Sequence, residues 1–96
     1  MNKGYWIVKA DVKDQDKFAE YASRTPKALT KYGGKFLARA GKYESVEGIT
    51  RSRNTIIEFP SYTAALDCWN SNEYQDAKSF RIGAGELDIV IVEGCD

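Results

Sequence analysis

The chain has 96 residues, and its 14 lysine and arginine residues balance 14 aspartate and glutamate residues, so its formal net charge is zero. A chain of this length forms a single domain, predicted over residues 1–96, and buries only roughly 60 to 65% of its unfolded surface, so assembly with a second copy would add stability. Zero net charge removes the overall attraction to polyanions, and we therefore expect no nucleic-acid partner.

The cysteine and histidine content restricts cofactor chemistry. Cys68 and Cys95 are the only cysteines, and the chain has no histidine. A zinc site is therefore not expected, and histidine-ligated haem and a histidine base are excluded, so we predict no metal site and no cofactor. No apolar run approaches the roughly 18 residues of a membrane span and no secretory leader is evident, which predicts a cytoplasmic protein with no membrane partner.

The first predicted elements are a strand and a long helical segment. Residues 4–12, GYWIVKADV, are aromatic and β-branched, as in a strand. Asp14 can cap a helix in which apolar residues recur at spacings of three and four up to Tyr32. Because proline lacks an N–H group and disfavours helical geometry before it, Pro26 predicts a break near Thr25 and a second short helical segment.

Two glycines follow this segment, in the stretch KYGGKFLARAGK over residues 31–42. They could form a phosphate-binding loop, a hinge or a helix terminus. A phosphate-binding loop needs glycines that open a helix, whereas Gly33 and Gly34 close one and precede a strand. We therefore predict that Gly33 takes a left-handed conformation and ends the helix.

The second half of the chain predicts two more strands and two short helices before the last strand. Strands are predicted over residues 35–40 and 53–59, joined by a long polar connection over residues 41–52. After Pro60, Ser61 can cap a helix that includes Trp69, and Asn70 with Glu73 resembles a capping box for a further helix over residues 71–81. The last strand is predicted over residues 86–94.

This order of strand, helix, strand, strand, helix and strand is typical of the ferredoxin-like split βαβ fold. The predicted class is α+β, with a four-stranded antiparallel sheet and helices on one face. Right-handed crossovers leave a gap between strands one and two, which strand three fills.

Apolar residues occupy both faces of the predicted sheet. Strand one alternates Tyr5 and Ile7 with Trp6 and Val8. Strand four carries apolar residues on both faces: Leu87, Ile89 and Ile91 on one, and Val90 and Val92 on the other. Helices cover one face only, and soluble monomers rarely leave so large an apolar patch exposed. A sheet-to-sheet homodimer would bury about 800 Å² per subunit, worth about 20 kcal/mol before association costs. The chain itself is therefore the predicted partner.

The segments GYWIVKADV, KYGGKFLARAGK, RNTIIEFPSYTAALDCWNSNEYQDAK and DIVIVEG resemble the domain-of-unknown-function family thirteen-thirty over nearly the whole chain. The resemblance implies a ferredoxin-like protomer and a two-sheet barrel dimer, and it implies no activity. By analogy only, the wider superfamily includes cofactor-free monooxygenases, lactone isomerases and haem enzymes that use the cleft between sheet and helices. Ala40 stands where the family's glycine is expected, which predicts an ordinary backbone there.

Polar residues within the strands are the first candidate site. Asn54 and Glu58 share a strand face, and if Arg39 faced the same way, the three could line a cleft for a small anionic or carbonyl ligand. Arg39 would supply charge, Asn54 a hydrogen-bond donor and Glu58 a catalytic base. The alternative is a structural ion pair between Arg39 and Glu58 that fixes the hairpin register.

Further candidates lie beside the long connection and between the last two helices. Arg53, with Arg51, could bind a carboxylate or phosphate, or both could be solvated surface charges. Trp69 and Tyr74 could form the walls of a ligand pocket, or belong to the core. Cys68 is interpreted as a buried apolar residue and Cys95 as exposed.

These observations predict an uncharacterised homodimeric α/β-barrel protein. Its cleft between sheet and helices would bind a small organic acid or aromatic compound, with or without a cofactor-independent reaction. The alternative is a non-catalytic structural or interaction domain whose main role is dimerisation.

Overall fold

Four strands and three helices follow one another in the predicted order. The computed structural model describes residues 2–95. The elements are β1 (Gly4–Val12), α1 (Gln15–Lys31), β2 (Lys35–Arg39), β3 (Arg53–Phe59), α2 (Tyr62–Trp69), α3 (Asn72–Ser79) and β4 (Gly85–Glu93). Among residues 2–95, no helix combines the length and apolarity that crossing a membrane requires.

The strands form one antiparallel sheet in the order β2-β3-β1-β4. Strand β3 thus lies between β1 and β2, as predicted for the ferredoxin-like fold. Residues paired across antiparallel strands share a face, so Trp6 lies beside Ile57 and Ile91 on the side against which the helices pack. We call this side the covered face and the other side, which carries Ile7, Ile56 and Val90, the open face.

Trp6 is the centre of the core on the covered face. Its side chain is 1% exposed, and its indole Nε1 donates a hydrogen bond of 3.0 Å to the Ala65 carbonyl oxygen. Its ring centroid lies 5.3 Å from that of Phe59 and 4.8 Å from that of Tyr74. Cys68 is also buried, as predicted, and Cys95 is exposed. Burial raises the pKa of the Cys68 thiol to about 12.

Helix α1 begins after Asp14, whose side chain accepts a hydrogen bond from the Lys17 backbone N–H, as predicted. The predicted break near Thr25 is wrong, because the helix continues through Pro26 to Lys31. The Thr25 hydroxyl donates to the Tyr21 carbonyl oxygen at 2.6 Å. The buried apolar face on either side of the proline holds the helix together at this point.

Gly33 ends α1 as predicted. It has φ +80°, its N–H donates to Thr30 O at 3.0 Å, and the N–H of Gly34 donates to Leu29 O at 2.8 Å. These bonds pair the last carbonyl groups of the helix, so the glycines terminate it and form no anion site.

Strand β2 is irregular where it pairs with β3. Phe36 lies opposite Ile57, but Ala38 lies opposite Ile56, so the register shifts at Leu37. Ala40, just after the strand, has φ +51°, which corrects the predicted ordinary backbone at this position. The Ala40 N–H donates a hydrogen bond of 2.9 Å to the Asn54 carbonyl oxygen. This bond closes the hairpin and stabilises the left-handed conformation of Ala40.

The cap of α3 lies one residue from the predicted one. Ser71, not Asn70, accepts the hydrogen bond from the Tyr74 N–H, at 3.1 Å. Asn70 instead ends α2, and its N–H donates to Leu66 O. The short side chain of Ser71 reaches the first turn because its backbone is extended.

Candidate functional site

A pocket opens between the covered face and α1. Its walls include Trp6 and Val8 from β1, Phe18 and Tyr21 from α1, and Thr55 from β3. The empty space is about 480 Å³ with the open mouth included, but the centre of a water molecule can reach only about 40 Å³ of it. The enclosed part is therefore narrow and mostly apolar.

Two arginines border this pocket. Arg39 pairs with Thr55 across β2 and β3, and Arg53 lies two residues before Thr55, so all three side chains project from the covered face. The Arg39 Nη2 donates to the Ala22 carbonyl oxygen of α1 at 3.2 Å, and its guanidinium carbon lies 4.2 Å from the Phe36 ring centroid. The Arg53 guanidinium carbon lies 4.9 Å from the Phe18 ring centroid. Aromatic rings thus hold both cations at the pocket.

Neither arginine has a carboxylate partner within 4.0 Å among residues 2–95. The Thr55 hydroxyl also forms no hydrogen bond in that part of the chain, whereas the Tyr21 hydroxyl is paired with that of Tyr74 at 2.8 Å. No aspartate or glutamate lines the pocket. The polar groups it offers are therefore mainly donors, which suit an anion.

Glu58 lies on the opposite side of the sheet. Its carboxylate is 3.1 Å from Lys3 Nζ and 3.4 Å from Lys35 Nζ, and its side chain is 13% exposed. The hydrogen bond from Lys3, with the charge of Lys35, lowers the pKa of Glu58, which weakens it as a base. The predicted ion pair with Arg39 is wrong: the register shift at Leu37 turns Arg39 to the covered face.

Asn54 shares the open face with Glu58, as predicted, but neither meets Arg39. The Asn54 Nδ2 donates to the Arg51 carbonyl oxygen at 3.1 Å, and its Oδ1 accepts from the Thr50 hydroxyl at 3.5 Å. Asn54 therefore holds the end of the long connection. The structure does not bring Arg39, Asn54 and Glu58 together in one cleft.

Arg51 forms an ionic cluster that the sequence analysis did not predict. Its guanidinium reaches Asp11 at 2.9 Å, Glu86 at 3.1 Å and Asp88 at 2.8 Å. Asp11 also accepts bonds from the N–H and hydroxyl of Ser52. A signal did exist, because Asp11 and Glu86 face each other across β1 and β4, and two like charges there need a cation.

The family model for the Domain of unknown function (DUF1330) matches residues 3–95. This chain is a member of the DUF1330 family. No curated protein matches its sequence.

Solved structures similar to the DUF1330 chain share its fold at low sequence identity. A protein of unknown function from Rhodopseudomonas palustris has TM-score 0.77 and 14% identity, covering 99% of this chain and 84% of its own. SnoaB, a cofactor-independent oxygenase from Streptomyces nogalater, has TM-score 0.71 and 10% identity, covering 100% and 96%. A dimeric protein of unknown function with a ferredoxin-like fold, from Bacteroides fragilis, has TM-score 0.55 and 15% identity, covering 95% of each chain. At these identities the likeness shows the fold alone.

Trp69 and Tyr74 of the DUF1330 chain do not line the pocket. Tyr74 is fully buried behind Tyr21, and burial raises the pKa of its hydroxyl. The Trp69 ring packs on Trp6 with centroids 5.9 Å apart, and Lys78 lies over it. Both side chains form part of the core.

Thr55 is the pocket residue that sequence reasoning missed in this DUF1330 chain. Strict alternation along β3 places Arg53, Thr55 and Ile57 on the face opposite Asn54 and Glu58. Thr55, a polar residue between Arg53 and Ile57 on this face, therefore indicates that polar groups line part of the pocket. Only the bulge in β2, which brings Arg39 beside Thr55, completes the group.

Proposed function

We propose that this protein binds a small organic acid with an apolar or aromatic body in the pocket between the sheet and α1. The observation that supports this is the presence of two arginines at an apolar pocket, neither with a carboxylate partner among residues 2–95. The acid's carboxylate would lie at the mouth near Arg39 and Arg53, and its body would enter between Trp6 and Phe18.

Charge and shape both support this choice of ligand. Guanidinium groups present planar forks of donors that bind carboxylates at two points, and such charge-assisted hydrogen bonds are stronger than neutral ones. Phe36 and Phe18 hold the two guanidinium groups in place, so little side-chain entropy is lost on binding. The narrow enclosed space suits a flat ring or a short branched chain.

The pocket supports binding more than base catalysis. The sequence contains no histidine, no carboxylate lines the pocket, and Glu58 lies across the sheet in two ion pairs. General-base catalysis needs a proton acceptor within hydrogen-bond reach of the substrate. We therefore assign the pocket a ligand-binding role.

A homodimer is the second part of the proposal. Large apolar side chains are exposed on and beside the open face: Leu37, Ile56, Val90 and Val92. On the long connection, Val46 is 85% and Ile49 is 100% exposed. A second copy packed on the open face would remove this apolar surface from water. The solved neighbour from Bacteroides fragilis is described as dimeric, which is consistent with this assembly.

Thermal-shift measurements with pairs of charged and neutral compounds test the ligand. Benzoate and phenylacetate should raise the unfolding midpoint, and benzamide, which has the same ring and no charge, should not. Arg39→Gln and Arg53→Gln should each reduce the benzoate response, whereas Arg24→Gln, on the exposed side of α1, should leave it unchanged. Equal responses to benzoate and benzamide would refute an anion site.

Sedimentation equilibrium tests the assembly. The unaltered chain should be a dimer at micromolar concentration, and Val90→Asp should shift it to monomer by placing a charge on the open face. Ile82→Asp is the matched control, since Ile82 is exposed in the turn between α3 and β4. A stable monomer would refute the dimer and leave the ligand proposal intact.

A further inference from the structure

Pro26 interrupts the hydrogen-bond pattern of α1 at one carbonyl group. In an α-helix the N–H of each residue donates to the carbonyl oxygen four residues earlier, so residue 26 would donate to Ala22. Proline has no N–H, and the Ala22 oxygen therefore lacks its usual partner within the helix. Such a carbonyl is available to a donor outside the helix.

The donor that reaches this carbonyl is Arg39. Its Nη2 lies 3.2 Å from the Ala22 oxygen, across the mouth of the pocket from β2 to α1. The same guanidinium also packs over the Phe36 ring, with its carbon 4.2 Å from the ring centroid. One N–H group of the fork is thus used for anchoring, and the other donors of Arg39 stay available to a ligand.

We infer that Pro26 is a positioning residue for the anion site, because it frees the Ala22 carbonyl that fixes the Arg39 guanidinium at the pocket. The inference rests on the proposed ligand site. It extends that site to α1, although no side chain of α1 would contact the ligand's charge. It also explains why a residue that weakens helices stands between the buried residues Thr25 and Ala28.

Pro26→Ala provides the test, because it restores the N–H and returns the Ala22 carbonyl to the helix. This variant should be more thermally stable than the unaltered chain, since proline is the least favourable residue inside a helix. Its benzoate affinity should nevertheless fall, by about tenfold, since a fixed charge-assisted contact is loosened. Stability and affinity would then change in opposite directions, which a merely structural role of Pro26 does not predict.

Ser23→Ala is the matched control. Ser23 is exposed on α1, and alanine there should also stabilise the helix without adding a donor near Ala22. Benzoate affinity should therefore be unchanged in Ser23→Ala. An equal loss of affinity in both variants would refute the positioning role, because helix stability alone would then explain it.

The side-chain nitrogen NMR signals of Arg39 give a second readout that needs no ligand. A held Nη2 group rotates slowly and gives resolved signals, which can be assigned by their loss in Arg39→Lys. They should be resolved in the unaltered chain and in Ser23→Ala, and averaged in Pro26→Ala. Resolved signals in Pro26→Ala would overturn the inference, whatever the benzoate result. A chain that does not bind benzoate but shows the averaging would refute the proposed ligand and retain the anchor.

Discussion

Charged residues on the two faces of the sheet differ in their ion pairing. On the open face, Glu58 is paired with Lys3 and Lys35, and Arg51 is paired with three carboxylates. On the covered face, Arg39 and Arg53 rest on aromatic rings and have no ion pair within residues 2–95. Glu58 and Arg51 are thus neutralised within the chain, whereas Arg39 and Arg53 are not. Lys9, which also lies on the open face, forms no ion pair within residues 2–95.

This difference separates a surface suited to burial from a site suited to a ligand. Charges that are already paired can enter an interface at smaller cost than isolated ones. Unpaired guanidinium groups at an apolar pocket remain available to an anion from solution. The contrast supports the proposals that the open face is used for assembly and the covered face for ligand binding.

The largest expected effect comes from a comparison of adjacent residues on opposite faces of the sheet. Trp6→Ala should reduce the free energy of unfolding by about 4 kcal/mol, because it removes a fully buried ring and its hydrogen bond. Ile7→Ala should cost about 1 kcal/mol in the monomer, since its side chain is only partly buried. Urea denaturation at low protein concentration measures both. Equal losses would mean that the open face is packed as tightly as the covered one.

A second pair of variants removes one hydroxyl group from the core that packs on the covered face and one from the open face. Tyr74→Phe should cost about 1.5 kcal/mol, because it leaves the buried Tyr21 hydroxyl without its partner. Tyr5→Phe should cost no more than about 0.5 kcal/mol, since its bond to Glu58 is long at 3.4 Å and that carboxylate keeps two lysines. Thermal unfolding of the two variants would show the difference, and a reversed order would contradict it.

Ala40→Gly tests the turn that follows Arg39. Glycine adopts φ +51° without steric cost, so the variant should be more stable by about 0.5 to 1 kcal/mol after its greater unfolded-state entropy is subtracted. Gly41→Ala is the control, since an added methyl group there meets open space and no positive φ requires glycine. A loss of stability in Ala40→Gly would show that the left-handed backbone carries no strain.

The smallest expected effect is the pH dependence of stability that the Arg51 cluster on the open face contributes. The hydrogen bond from Ser52 and the Arg51 contact lower the pKa of Asp11, and Arg51 lowers that of Glu86. A carboxyl group with a lowered folded-state pKa adds stability above its unfolded pKa of about 4, and this stability is lost as the pH falls through the folded value.

Arg51→Gln should therefore be less stable than the unaltered chain near neutral pH, with the difference shrinking below about pH 4. Lys42→Gln removes a cation of the same connection that forms no ion pair with residues 2–95, and it should show no such trend. Urea midpoints measured across the pH range provide the comparison. A constant difference for Arg51→Gln would exclude titration of the cluster as its cause.

The fold was predictable because apolar spacing, turn residues and helix caps agreed along most of the chain. Asp14, Gly33 and Ser61 each have the predicted role at a helix end. The continuity of α1 through Pro26 was not predictable from local sequence, because the tertiary contacts of the buried face outweigh the local preference of proline.

The candidate site was less predictable, and the reason is a single extra residue in β2. Regular alternation from Lys35 places Arg39 on the same face as Lys35, which is the open face with Glu58. The bulge at Leu37 reverses this, and no glycine or proline in the strand signals it. Thr55 and Arg53 follow regular alternation, so their half of the pocket could have been read from β3.

The two cysteines have unequal reactivity as a result of their positions. Cys68 stays protonated and enclosed, whereas Cys95 is accessible beyond the end of β4. A maleimide dye or spin label would therefore attach at one place without any engineered substitution. In a paired assembly, two such labels would report the separation of the subunits directly by fluorescence transfer or electron spin resonance.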